Sequence, residues 1–222
     1  MSYHEESMIV EDKPVDDAFL RKISPVLVLL FSSLLLYPFG FIDFWQAAFL
    51  LLCVLVYPIV RLVEHQSLRE LGIKFPGLKE DIMCNWHLII IPVVAISPMT
   101  MVVAWLYPPF SEHIISRVPI DFNEDPLVLF MQVVIIGPLV EEILFRGLLQ
   151  RYTSLFAPKK AAILYASVIF TLFHYASGDL LAMTLDLLFL FIQGCIYGLI
   201  YSRSQNALVS CIAHSLVNLP FW

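Results

Sequence analysis

Long apolar stretches constrain this sequence more than any other feature. A transmembrane helix needs about 20 mainly apolar residues, and seven stretches qualify or nearly qualify. They are residues 25–42, 44–61, 83–107, 127–150, 160–177, 180–202 and 206–221. The chain is 59% hydrophobic and 14% charged, whereas soluble domains are about 45–50% apolar and about 25% charged. We therefore predict an all-α fold, a polytopic transmembrane helical bundle of about seven helices.

The basic residues predict the orientation of these helices. Of the 13 lysines and arginines, all but Arg117 and Arg146 fall in segments that would be inside if the N-terminus is cytoplasmic. Arg117 falls outside, and Arg146 lies within a helix. Basic residues concentrate on the cytoplasmic side of membrane proteins, so we predict a cytoplasmic N-terminus. The net charge of −6, without a basic tract, argues against nucleic acid as a partner.

The order of segments predicts an acidic, polar N-terminal tail over residues 1–23, followed by N-terminal membrane helices over 24–124. The stretch 61–82 mixes charged and apolar residues, which indicates an amphipathic piece at the membrane interface. The stretch 107–126 is rich in proline and acidic residues and is predicted to be an external loop. Pro92 and Pro98 should kink the third helix.

Three ionisable residues fall within six positions of the fourth predicted helix: Glu141, Glu142 and Arg146. A charged residue at the bilayer centre costs roughly 2.5–3.5 kcal/mol on insertion scales, so each needs a partner or a function. Glu142 and Arg146 are four residues apart, so they share a helix face and can pair. Glu141 points about 100° away from that face. A packing ion pair therefore explains Glu142 and Arg146 but leaves Glu141 without a partner.

Two later helices carry further polar residues, His174 on the fifth and His214 with Asn218 on the seventh. His214 and Asn218 are four residues apart and share a helix face. Each histidine alone could be a hydrogen-bonded packing residue. Together with the paired carboxylates, the three residues supply acid–base groups and neutral donors. This combination suits the hydrolysis of a carbonyl compound by activated water, in an active site buried between the C-terminal helices.

Other polar residues are weaker candidates. Asp186 in the sixth helix is predicted near the outer rim, where solvation explains it as well as function does. His113 is predicted in a polar connection. Gly194 and Gly198 form a small-xxx-small pattern, which is typical of close helix packing.

At three motifs the sequence resembles the CPBP family, which contains the Ras-converting CAAX endopeptidase and prokaryotic relatives linked to bacteriocin processing and self-immunity. The motifs are Glu141-Glu142-x-x-x-Arg146, Phe170-x-x-x-His174 and His214-x-x-x-Asn218. They occur in order on separate predicted helices, within a predicted catalytic core over 125–222. The resemblance implies a multi-pass protein of a prokaryotic plasma membrane.

The same resemblance implies an intramembrane glutamic endopeptidase without metal or cofactor. By this likeness, Glu141 activates the attacking water with help from His174. The Glu142 and Arg146 pair positions Glu141, and His214 with Asn218 stabilises the oxyanion. The implied partners are the lipid bilayer and a membrane-anchored or lipidated protein or peptide. A prenylated tail, an exported precursor and a C-terminal membrane anchor are all open as substrates.

Three other functions stay open at this stage. Glu141, His174 and His214 could ligate zinc in a membrane protease, although no H-E-x-x-H helix is present. A non-proteolytic binding or immunity protein would not require the whole set of polar residues. A transporter could relay protons through intramembrane carboxylates, but the sequence shows no inverted repeat or paired broken helices.

Overall fold

The computed structural model describes residues 17–65, 68–117 and 125–221. Within these ranges the chain is helical and has no strand, which confirms the predicted all-α bundle. The helices, numbered in chain order, are α1 Asp17–Ser33, α2 Phe44–His65, α3 Leu78–Leu106, α4 Pro108–Arg117, α5 Pro126–Thr153, α6 Lys159–Phe173, α7 Leu180–Ser204 and α8 Ala207–Asn218.

Four helical segments are long and apolar enough to cross a membrane. They are Ala18–Leu36, Leu78–Leu106, Pro126–Thr153 and Leu180–Ser204. The other three predicted spans form the helices α2, α6 and α8, whose apolar parts are shorter. At about 1.5 Å per residue, the 15 residues of α6 extend about 22 Å, less than the hydrocarbon thickness of about 30 Å.

Two segments differ from the sequence prediction. The first helix begins at Asp17, inside the stretch predicted to be a polar tail. It extends this far because Leu20, on the same helix, is only 1% exposed and packs in the core. The predicted external loop contains the helix α4, whose residues Phe110 and His113 are buried three positions apart on one face. Residues 1–16 of the tail and 118–124 of the loop lie outside the described residues.

Wider π-helical turns interrupt α3 and α5, both of which carry internal prolines. In α3 the π turn covers Pro92–Ile96, where proline lacks the N–H that an α-helix would use. In α5, two π turns, Met131–Ile136 and Ile143–Gln150, flank the short α-helical segment Gly137–Glu142. Such turns often occur at functional sites. The two flanking turns set the direction in which the Glu141–Glu142 segment faces.

The connection between α2 and α3 packs directly against α5. Its 3-10 turn Leu68–Leu71 ends at Gly72, which has a φ of +72°. A Cβ on Gly147 would overlap the Leu71 carbonyl oxygen, so only glycine allows this approach. The Gly72 carbonyl then accepts from the Ala207 backbone N–H at 2.7 Å. The connection thus ties the start of α8 to α5.

Close packing of α6 against α7 holds the C-terminal helices together. A Cβ built on Gly194 would lie 3.3 Å from side-chain atoms of Phe170 and Ser167. One on Gly198 would lie 2.9 Å from Gln150 Oε1. The small-xxx-small pattern therefore marks a close helix contact, as the sequence predicts. This contact brings the end of α6 beside α5 and α8.

Candidate active site

A cavity of about 920 Å³ lies among the helices. Side chains from all eight of these helices, α1 to α8, line it. The lining includes Glu141, His174, His214 and Asn218, four of the six residues predicted from the motifs. The remaining two, Glu142 and Arg146, lie directly behind this wall and are 0% exposed. The structure therefore brings all the predicted site residues together.

Glu142 is the central residue of a buried polar network. Its Oε2 accepts from Arg146 Nε at 3.2 Å, as the four-residue spacing predicts. Its Oε1 lies 3.1 Å from His214 Nδ1, on a helix 72 residues further along the chain. The Arg146 guanidinium also lies 5.2 Å from the centroid of the Phe170 ring. Glu142 thus joins α5 to α8, a link that helix periodicity alone does not reveal.

Glu141 faces the cavity, as expected for a residue about 100° from Glu142 on the helix. Its side chain is 32% exposed. Its Oε2 lies 3.7 Å from His174 Nε2 and 3.9 Å from His214 Nε2. Both distances exceed those of a direct hydrogen bond, and this oxygen is buried without a hydrogen-bond partner among the described residues.

The Nδ1 atoms of His174 and His214, which do not face Glu141, each have a hydrogen-bond partner. His174 follows the last residue of α6, and its Nδ1 lies 2.8 Å from the Phe170 carbonyl oxygen. Since a carbonyl only accepts, His174 Nδ1 carries the hydrogen. The carboxylate of Glu142 imposes the same tautomer on His214. In the neutral rings, both Nε2 atoms are therefore acceptors, and both face the third acceptor, Glu141 Oε2.

Asn218 lies at the last turn of α8 and lines the cavity. Its amide donates to the Val133 carbonyl at 3.0 Å, in the π turn of α5 where backbone pairing is altered. The Ser97 hydroxyl donates to the Val217 carbonyl at 3.4 Å. These two bonds hold the C-terminal end of α8 against α5 and α3.

Sequence reasoning missed three residues in the same region: Arg117, Asp186 and His113. Asp186, predicted near the outer rim, is only 3% exposed. Its carboxylate accepts from Arg117 Nη2 at 3.2 Å, and its Oδ2 lies 2.7 Å from Arg117 Nε. His113 Nε2, predicted in a polar connection, lies 3.4 Å from the same Oδ2. Arg117 and Asp186 both line the cavity.

Tyr197 was also missed, because an aromatic residue in an apolar helix reads as core. Its ring stacks on His214 with a centroid distance of 4.9 Å and an angle of 19°. It is fully buried and so fixes the plane of the imidazole. Within the described ranges, no group of three or more His, Cys, Asp or Glu residues has a geometry that could hold a metal ion.

The comparisons with known proteins agree with the motifs. Residues 123–220 match the family model described as type II CAAX prenyl endopeptidase Rce1-like. No curated protein and no solved structure matches the chain. The family match contains every predicted site residue and confirms the predicted resemblance. It implies a protease, and together with four helices long and apolar enough to cross a bilayer it indicates an integral membrane protein.

Proposed function

We propose that this chain, whose residues 123–220 match the Rce1-like endopeptidases, is an intramembrane glutamic endopeptidase. In this proposal it hydrolyses a peptide bond near the C-terminus or membrane anchor of a membrane-associated protein. One observation carries the proposal. Three proton acceptors, Glu141 Oε2, His174 Nε2 and His214 Nε2, converge at one place in the cavity wall. Such a place suits a water molecule, which donates its two hydrogens to two of these acceptors.

Glu141 is the proposed general base. Separations of 3.7 and 3.9 Å to the two histidines are too long for direct hydrogen bonds but suit groups that share a water molecule. The water oxygen attacks the scissile carbonyl carbon while Glu141, helped by His174, takes the water proton. The carbon–nitrogen bond then breaks, and the departing nitrogen receives that proton. A positioned base of this kind contributes about 10²–10⁴-fold to a rate.

Glu142 and Arg146 are proposed to position His214. The bond from His214 Nδ1 to Glu142 turns Nε2 toward the cavity, and Arg146 Nε donates to the other carboxylate oxygen of Glu142. Because Nδ1 carries the hydrogen, Nε2 donates only when the ring is protonated. In that charged state His214 donates to the oxyanion, and Glu141 and His174 are the two acceptors of the water's hydrogens.

Asn218 is the proposed neutral donor to the oxyanion. A side-chain amide has two N–H donors, and the Val133 carbonyl takes one of them. The other is available to a developing oxyanion in the cavity that Asn218 lines. A donor in this role is worth about 10²–10³-fold in kcat.

A zinc-dependent membrane protease is the second candidate. Glu and His side chains are ligands that zinc binds, so Glu141, His174 and His214 are the residues such an enzyme would use, although their described geometry is not that of a metal-binding group. A non-proteolytic binding or immunity protein is the third. The three functions predict different responses to one substitution and one chelator.

The test compares purified wild type, Glu141→Gln and Glu80→Gln in detergent or nanodiscs. Glu80 is exposed near the start of α3, so its variant makes the same chemical change outside the cavity. Each protein is assayed on prenylated and membrane-anchored peptides, with and without a strong chelator. We expect cleavage by wild type and Glu80→Gln that resists the chelator, and a loss of about 10²–10⁴-fold in Glu141→Gln.

Other results would select a different function. Activity that is lost on chelation and restored by zinc would identify a metalloprotease. Equal cleavage by wild type and Glu141→Gln would contradict the glutamate mechanism. Peptide binding without cleavage by the wild type would support a binding protein.

A further inference from the structure

Most lysines and arginines of this chain gather at one end of the helix bundle, which we call the basic end. It holds Arg21, Lys22, Arg61, Arg69, Lys74, Lys79, Arg151, Lys159, Lys160 and Arg203. Near the start of α1, Arg21 donates to the Leu155 carbonyl oxygen, which follows α5, at 3.4 Å. At the end of α5, Arg151 donates to the Arg69 carbonyl oxygen, which precedes α3, at 3.0 Å. These contacts bring segments that are far apart in the sequence to the same end.

The same end includes the start of α3 and the end of α7. Lys74 Nζ, before α3, donates to the carbonyl oxygen of Ser204, the last residue of α7, at 2.7 Å. Arg203 Nη1 of α7 lies 3.2 Å from His87 Nε2 of α3. At the basic end, the starts of α1, α3, α6 and α8 therefore meet the ends of α2, α5 and α7.

The cavity lies in the other half of the bundle. Its lining comes from the parts of the helices that are distant from the basic end: Phe31 near the end of α1, Phe44 at the start of α2, Thr100 in the second half of α3, Phe173 at the end of α6 and Asn218 at the end of α8. Glu141, the proposed base, lies close to the middle of α5. The cavity therefore extends from the middle of the bundle toward the end opposite the basic end.

Packed side chains close the bundle between the cavity and the basic end. Leu148 and Leu149 follow the last lining residue of α5 and are 0% exposed, as is Ile200 of α7. The backbone of Gly147 is also in contact with the Leu71 carbonyl of the connection before α3. A polypeptide cannot reach Glu141 from the basic end while the helices keep this packing.

The distribution of charge predicts which side of the membrane each end faces. Among the described residues, the end opposite the basic end has Arg117 as its one lysine or arginine. Lysine and arginine concentrate in the short cytoplasmic segments of membrane proteins, and acidic residues contribute little to this bias. This asymmetry predicts that the basic end is cytoplasmic.

We propose that the cavity is reached from the outer side of the membrane and that its substrate is an exported, membrane-anchored polypeptide whose scissile segment lies on that side. The inference rests on the proposed function and narrows it. Cleavage then follows translocation, so protein export is the class of process that supplies the substrate. A protein that is lipidated in the cytoplasm and stays on the cytoplasmic side would not be a substrate.

The first experiment measures access to the cavity with a membrane-impermeant maleimide. Ala48→Cys places a thiol in the cavity lining of α2, and Lys160→Cys is the matched control at the exposed basic end. Both are made in full-length protein whose native cysteines, Cys53, Cys84, Cys195 and Cys211, are replaced by alanine. We expect Ala48→Cys to be labelled in right-side-out but not in inside-out membrane vesicles, and Lys160→Cys to show the reverse. Labelling of Ala48→Cys in inside-out vesicles, or in neither kind, would overturn the inference.

A second measurement needs no substitution in the chain. The end of α8 lies at the cavity end of the bundle, so a reporter fused after the last residue reports the side that this end faces. Alkaline phosphatase needs disulfides, which form outside the cytoplasm, whereas green fluorescent protein reports a cytoplasmic position. We expect phosphatase activity from the first fusion in a bacterial host. Fluorescence from the second fusion without phosphatase activity from the first would overturn the inference.

Cleavage in the same vesicles separates this inference from the proposed function. A lipid-anchored peptide is added to right-side-out or inside-out vesicles that contain wild type, Glu141→Gln or Glu80→Gln. We expect cleavage by wild type and Glu80→Gln in right-side-out vesicles and its loss in inside-out vesicles, with no cleavage by Glu141→Gln in either. Cleavage confined to inside-out vesicles would overturn the inference and leave the peptidase. Labelling of Ala48→Cys from the outer side without cleavage by wild type, even in detergent, would support access from that side and contradict the peptidase.

Discussion

Replacing Glu142 alone should reduce both the stability and the activity of this protein, whereas replacing Glu142 and Arg146 together should restore the stability but not the activity. Glu142 and Arg146 are both 0% exposed, so removing one partner leaves the other charge buried. Breaking a buried pair in this way costs about 3–5 kcal/mol. We therefore expect Glu142→Leu and Arg146→Met each to destabilise the protein by about that amount.

The double variant Glu142→Leu/Arg146→Met should recover most of this stability. Replacing a buried ion pair with apolar residues of similar volume is often neutral or stabilising by about 1–4 kcal/mol. Activity should not recover, because His214 Nδ1 loses the carboxylate that lies 3.1 Å away. We expect a loss of about 10²–10³-fold in kcat, the contribution of one donor to the oxyanion.

Two measurements on the same preparations test this separation. Unfolding by a denaturing detergent in mixed micelles, followed by helical circular dichroism, gives the stability of the wild type, the two single variants and the double variant. Peptide cleavage gives kcat. A double variant with wild-type activity would refute the role of Glu142 in orienting His214. Single variants as stable as the wild type would refute the buried pair.

Two further predictions concern positions outside the reacting groups. Gly147→Ala should destabilise the protein by about 1–3 kcal/mol, because its Cβ would overlap the Leu71 carbonyl oxygen. Unfolding in a denaturing detergent measures this loss of stability. An unchanged unfolding midpoint would contradict the close approach of Gly147 to Leu71. The Ala182 backbone N–H and the Tyr107 hydroxyl hold the pKa of the Asp179 carboxyl below its usual value of 3.8. This stabilising contribution is present above pH 3.8 and is lost as the pH falls through the lowered pKa, so the difference in Tm between wild type and Asp179→Ala should be constant near neutrality and shrink only in acid.

Side-chain contacts within one helix of the C-terminal half could be predicted from the sequence, because the spacing of the motif residues shows which of them share a helix face. The pairing of Glu142 with Arg146 needs only the four-residue period of a helix, and the structure has that contact. The contact between Glu142 and His214 could not be predicted, since their separation of 72 residues depends on how α8 docks against α5. Periodicity defines which residues share a face but does not tell which neighbouring helix that face meets.

The cluster around Asp186 was misjudged for a related reason. The position of Asp186 along its helix suggested a solvated rim, and its partner Arg117 lies 69 residues earlier. The segment holding Arg117 reads as a proline-rich loop because Pro108 and Pro109 dominate its start. Proline is tolerated in the first turn of a helix, and the buried faces of Phe110 and His113 make this segment the helix α4. The unexplained intramembrane carboxylate was the signal that could have indicated a buried partner.

The two adjacent glutamates show how position on a helix gives different roles to identical groups. Glu142 points into the protein, where Arg146 and His214 satisfy both of its oxygens. Glu141 points into the cavity, where its Oε2 meets two histidine nitrogens beyond hydrogen-bond range. Exchanging the roles would require rotating the helix by about 100°, which the packed Gly147 contact and the bond from Asn218 to the π turn both oppose. The backbone of α5, more than the chemistry of the carboxyl groups, therefore decides which glutamate is free to act on water.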